Sequence, residues 1–98
     1  MVDREKWAGL SLVEQIGNIS SEVGRAIKSR DNPTRRDGAI ERALDLFSVT
    51  AACYSGARLR EILRSRDEFL RLFYGDSEDY DGVERYFHHF AMAARRGR

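Results

Sequence analysis

Cysteine, proline and lysine are nearly missing from this chain, and each scarcity excludes something. The single cysteine, Cys53, rules out an internal disulfide framework. A single proline, Pro33, and eight glycines that punctuate rather than cluster leave no linker or low-complexity tract. No apolar run approaches the roughly 18–20 residues of a membrane span. The opening MVDREKWAGL mixes acids with bases and has no apolar core behind it, unlike a signal peptide. These absences lead us to expect a cytoplasmic protein without membrane contact. Charge of one sign is also missing: the net value is +1, which removes any bulk attraction to nucleic acid or anionic lipid. Lysine is the most unusual deficit. Of 17 basic residues only Lys6 and Lys28 are lysine, which leaves 15 arginines. The planar guanidinium suits carboxylate and phosphate pairing better than an ammonium does. Genomic base composition or ion-pair networks explain such a bias in most chains; a surface for phosphate or an acidic partner is the alternative.

What is present is helical period. With 98 residues and 42% apolar content, the chain makes one domain, residues 1–98, with a single core. Four segments carry a 3.6-residue repeat and none alternates as a strand does. The first, about 11–30, opens with the capping box Ser11/Glu14 and turns Val13, Ile16, Ile19, Val23, Ala26 and Ile27 to one side. Gly17, Ser20 and Gly24 edge that side and point to a close helix crossing. Gln15, Asn18, Glu22 and Arg25 line its polar face. The second, about 33–54, starts at Asn32-Pro33 and packs Ile40, Ala43, Leu44, Phe47, Ala51 and Tyr54. The third, about 57–74, carries Leu59, Ile62, Leu63, Phe69, Leu70 and Phe73, with Arg66 in mid-stripe and Gly75 as its C-cap. The fourth, about 82–96, pairs Asp81 with Glu84 as a cap and buries Val83, Tyr86, Phe87, Phe90, Ala93 and Ala94. Short connections favour antiparallel neighbours. The expected fold is therefore all-α, an antiparallel up-down-up-down four-helix bundle.

The stretch Leu44–Tyr54 has no charge after Asp45. Leu46, Val49, Ala52 and Cys53 point away from its main stripe. They are the expected interface of a homo-oligomer, modest in size, because neighbouring segments cover part of that side.

The chemistry-bearing residues mostly read as structural. A di-iron site needs Glu-x-x-His or inward carboxylates, whereas Glu84 precedes His88 by four. His88 and His89 diverge by about 100° on a helix and read as rim residues. Arg85 precedes them by two and three intervening residues, which fails the spacing of HEPN-type nucleases. The acidic loop Asp76–Asp81 resembles a calcium loop in composition, but the twelfth position from Asp76 is Phe87 rather than glutamate. Cys53 in its apolar stretch reads as packed and inert. No catalytic residue, metal site or cofactor is expected, and the reading is non-enzymatic. Arg66 is expected to form a buried ion pair, with Asp45, Glu41 or another subunit as partner, or to snorkel its head to water, or to anchor an anionic ligand. Arg60, Arg64 and Arg71, with Arg95, Arg96 and Arg98, form the candidate ridge for a nucleic-acid backbone, weakened by Glu61, Asp67, Glu68 and Glu84.

The stretch LSLVEQIGNISSEVGRAIKSR with the later YFHHFAMAARR resembles a group of short prokaryotic helical proteins that share an SLxEQ start, an NIxSEVxRAI helix, an LxEILRxR segment and a YFxxFAxAAR ending. The resemblance spans nearly the whole chain and implies a four-helix protein with no particular activity; Asn18, Glu22, Arg25, Arg66 and Arg95 match its pattern. In architecture alone the chain is similar to the ribosomal-RNA intervening-sequence proteins and the accessory proteins of diversity-generating retroelements. Both form ring-like homo-oligomers, and the accessory protein works with a reverse transcriptase and RNA, although it is strongly basic where this chain is near neutral. The expected function is a self-associating interaction or scaffold module that serves a protein or ribonucleoprotein partner. The alternatives are a nucleic-acid-binding accessory subunit using the arginine ridge and a small anion-binding bundle or enzyme using Arg66.

Overall fold

The computed structural model describes residues 3–96. It contains five helices: α1 (Arg4–Ala8), α2 (Leu12–Lys28), α3 (Pro33–Ala51), α4 (Gly56–Tyr74) and α5 (Tyr80–Arg96), with no strand among the described residues. The local signals act where the residues place them. Ser11 Oγ accepts from the Glu14 backbone N–H at 3.2 Å, and Glu14 Oε1 accepts from the Ser11 N–H at 2.9 Å. Asn32 Oδ1 accepts from the Arg35 N–H at 3.3 Å, and Pro33 stands at the first helical position.

The four long helices share one core. α2 packs against α3 and α5, and α4 packs against the same two. Phe47 of α3 lies 6.0 Å from both Phe69 of α4 and Phe87 of α5, between ring centroids. Ile16, Ile19 and Val23 of α2 belong to the same buried cluster. Truncating a ring at this centre costs about 3–5 kcal/mol. Residues paired between helices run in opposite order along the chain: Gln15 meets Tyr54 and Glu22 meets Arg42, while Phe73 meets Tyr80 and Glu61 shares a groove with His89.

Several boundaries and faces differ from expectation. α3 ends at Ala51 rather than Tyr54, and Gly56, at φ +60°, turns the chain into α4. α5 starts at Tyr80, ahead of the expected 82. Its cap is Asp79, whose Oδ1 accepts from the Gly82 N–H at 3.0 Å. A Cβ at position 82 would fall on that carboxylate, so the glycine makes room for the cap. On α4 the buried positions are Ile62, Ser65, Phe69 and Leu72. Ser65 is fully enclosed and donates its hydroxyl to the Ile62 carbonyl at 2.7 Å. The inward face is thus rotated from the stripe drawn through Arg66. On α2 a Cβ at Gly17 or Gly24 would meet nothing within 4 Å, so neither glycine serves a close crossing inside this chain.

The fifth helix, α1, was not anticipated. It is five residues long, and its cap Asp3 accepts from the Glu5 and Lys6 N–H groups at 3.0 and 3.3 Å. Such a length does not hold itself helical. Its anchor is Trp7, which is buried and donates its indole N–H to Thr50 Oγ1 at 2.8 Å. Gln15 completes the clasp. It is 1% exposed rather than part of a polar face. Its amide donates to the Trp7 carbonyl at 2.9 Å, and its Oε1 accepts the Tyr54 hydroxyl at 2.7 Å. Burial raises the Tyr54 phenol above its usual range, reinforced by neighbouring Cys53 and opposed by Arg58.

Two outcomes follow from these contacts. Replacing Gln15 with Leu removes two hydrogen bonds, one to the Trp7 carbonyl, which keeps the Leu10 N–H at 3.0 Å, and one to the half-buried Tyr54 hydroxyl, each worth about 0.5–1.5 kcal/mol. Urea unfolding should show a loss of about 1–3 kcal/mol, with Trp7 emission shifted to the red in the folded baseline. The Glu14 carboxyl is held below its usual range, first by the backbone hydrogen bond from Ser11 and then by the Ser11 side chain. Its contribution to stability is therefore complete above the ordinary carboxylate range and is lost as pH falls through the lowered folded value. The gap in melting temperature between wild type and Glu14→Gln should be constant near neutrality and close on acidification.

Candidate functional site

The antiparallel order of paired residues along α2 and α3 brings together basic residues that lie far apart in the chain. Arg25 and Lys28 near the end of α2 and Arg35 and Arg42 from α3 line one cleft of about 440 Å³. Ser29, Thr34, Gly38 and Ala39 complete it, so the lining offers small side chains and two hydroxyls between four cations.

One carboxylate enters this arrangement. Glu22 Oε2 accepts from Arg25 Nη1 at 3.0 Å, and its Oε1 accepts from Arg42 Nε at 3.2 Å. The Glu22 side chain is only 12% exposed, while those of Arg25 and Arg42 are 62% and 57% exposed. The acid is tucked beneath and its two partners face solvent. Each guanidinium uses one donor on Glu22 and keeps others for a ligand. Arg42 Nη1 lies 3.4 Å from where a Cβ of Gly38 would stand, so the guanidinium lies over this part of the cleft. Lys28 and Arg35 make no ion pair among the described residues. Four cationic side chains and no carboxylate line the cleft, and Glu22 pairs with two of the four.

No protein-family model matches the chain, and no curated protein or solved structure matches it either. The site is read from its own chemistry.

Of the residues singled out from sequence, Glu22 and Arg25 of the α2 polar face take part in this cleft, and the candidate nucleic-acid ridge lies elsewhere. Arg60 and Arg64 on α4, and Arg95 and Arg96 at the end of α5, are exposed. Arg71 is committed to Asp76 at 3.2 Å and to Glu68 at 3.6 Å. Arg98 lies outside the described residues. The ridge has acids beside it: the Tyr86 phenol is raised chiefly by burial, with Arg64 opposing and Glu68 and Glu61 adding to the rise.

Arg66 does not form the expected buried ion pair. Its side chain is 41% exposed and its nearest carboxylate is its neighbour Asp67, at 3.9 Å. Its Nε is enclosed without a partner. The rotation of α4 that puts Ser65 at the centre moves Arg66 to the flank, where its head reaches water. Asp45 and Glu41 are exposed on α3 and do not pair with it.

The four residues expected to form an interface between copies are divided. Val49 is buried within the chain, beside the Trp7–Thr50 contact, and Leu46 packs against the core. Ala52 and Cys53 are exposed. Cys53 is therefore not the packed residue expected; its thiol donates to the Val49 carbonyl at 3.2 Å at the surface. A second groove, between α2 and α5, gathers Ser20, Glu84 and His88. Ser20 Oγ has no hydrogen-bond partner among the described residues, so these three side chains do not form a relay. His88 and His89 are exposed rim residues.

The cleft escaped sequence reading because its members lie on two segments. No local pattern links Arg25 to Arg42. The polar face of the first segment held Glu22 and Arg25, but nothing in it pointed to their α3 partners, and the scarcity of lysine carried no position.

Proposed function

We propose that the protein is a non-enzymatic helical binding module, with α2–α5 arranged as an antiparallel up-down-up-down bundle, whose α2–α3 cleft engages an anionic partner. The opposed order of the paired residues supports the bundle. The observation that carries the function is the convergence of Arg25, Lys28, Arg35 and Arg42 on one concave surface with a single, tucked carboxylate. In a chain of net charge +1, this is a local field, strongest within about 10 Å at ordinary ionic strength. It replaces the α4–α5 ridge as the place where such a partner would bind.

Retention on immobilised heparin tests the location. Lys28→Glu/Arg35→Glu and Arg60→Glu/Arg64→Glu change the net charge equally. The first should elute at clearly lower salt than wild type and the second close to it. Equal shifts would mean that charge alone, and not the cleft, governs retention.

Self-association is a second reading, now supported by a different surface. The uncovered edge of α2 at Gly17, Ser21 and Gly24 would let another backbone approach closely. If nothing covers it, Gly17→Ala and Gly24→Ala should each stabilise the protein by up to about 1 kcal/mol through helix propensity. If a second copy sits there, both substitutions should instead lower the mass seen in sedimentation.

A further inference from the structure

We infer that the α2–α3 cleft is a track for the backbone of a single nucleic-acid strand, meeting about three successive phosphates and reading no base. This rests on the reading that the cleft takes an anionic partner, and it narrows that partner to one class.

Length is the first argument. Arg35 and Arg42 are seven residues apart on α3, about 10 Å along a helix that rises 1.5 Å per residue. Lys28 and Arg25 border the same cleft from α2. A stacked strand carries one charge per about 3.4 Å of its axis, so about three phosphates fall within that span. An extended acidic peptide also advances about 3.4 Å per residue, but alternate side chains point to opposite faces. Only every second carboxylate would enter, and the same span would meet one or two charges.

Shape is the second. The cleft runs between two helices with the small residues Gly38 and Ala39 in its lining, a concave form suited to a narrow chain. Ser29 and Thr34 add hydroxyl donors suited to phosphate oxygens. The Glu22 hydrogen bond holds Arg42 by Nε, which leaves its terminal nitrogens over Gly38 to meet a phosphate edge.

The third argument concerns what the lining lacks. No aromatic ring borders the cleft. Base stacking, which gives many single-strand binders their affinity, has no platform there. Binding should therefore depend on charge alone, with little preference among bases.

Fluorescence anisotropy with labelled oligo-dT, oligo-rU and a mixed sequence, each of about twelve nucleotides, tests this directly, with poly-glutamate as competitor. All three strands should bind within a few-fold of one another. The slope of log K against log salt should be about −2, since a single strand gives about −0.7 per phosphate neutralised. In Lys28→Gln/Arg35→Gln, which leaves the Glu22 pairs intact, the slope should become shallower by about 1.4; circular dichroism confirms that the variant is folded. Poly-glutamate should compete poorly. If it competes as well as the oligonucleotides at equal charge, the nucleic-acid assignment is wrong while the anionic-partner reading stands. If neither polymer binds the folded protein, both readings fall. A preference of more than tenfold for one base would overturn the backbone-only track.

Discussion

A primary amide enclosed away from water has to satisfy both its carbonyl and its amino group. Gln15 does so by accepting from Tyr54 and donating to the Trp7 carbonyl, and much of the molecule depends on that double demand. It brings the N-terminal segment, the first turns of α2 and the chain just beyond α3 to one point. Trp7 is then placed to donate to Thr50. The clasp sets the register of α3 against α2. A slip of one residue rotates a helix by about 100°, which would strand the amide and carry Arg42 away from Glu22. The same register therefore aligns the basic residues at the far end of the pair. An uncharged lock at one end and a cationic cleft at the other are two consequences of one alignment.

What was legible in the residues was mostly local. Ser11/Glu14 and Asn32-Pro33 started their helices where expected, because a cap is a short-range hydrogen bond. The apolar periods of α2 and α5 found Ile16, Ile19, Val23, Phe87 and Phe90, because those faces meet the core squarely. Where polarity and position disagree, polarity alone misleads. Gln15 is polar and was placed outside. Ser65 was passed over for the larger stripe through Leu63 and Arg66. Asp79 and Asp81 are both plausible caps by type, and only the room left by Gly82 separates them. α1 is shorter than a helical period can reveal. The α2–α3 cleft depends on pairing between segments, which no window along the chain contains.

Net charge and local charge tell different stories in this molecule. The overall balance is near zero, yet acids and bases are not evenly mixed. Asp76 pairs with Arg71 and Asp79 caps α5, so two of the four acids of the loop are engaged with their own surroundings. Glu22 lies beneath two arginines that remain open to solvent. Exposed pairs of this kind add about 0–1 kcal/mol to stability, so their value lies in orientation. Glu22 fixes where the Arg25 and Arg42 heads stand, and removes from them part of the conformational freedom that a ligand would otherwise have to quench.

α1 has a mechanical consequence. Five residues cannot sustain a helix unaided, so this one exists only while Trp7 is seated. Its amides should belong to the unit of the molecule that opens at lowest free energy. Trp7, the chain's one tryptophan, sits at the seat itself and reports on that opening. Asp3 caps the helix on its outer side. Any tension applied to the chain ahead of Asp3 is therefore transmitted through one turn of helix to Thr50, the last buried residue of α3. The N-terminal segment is a lever on the helix that carries half of the cleft.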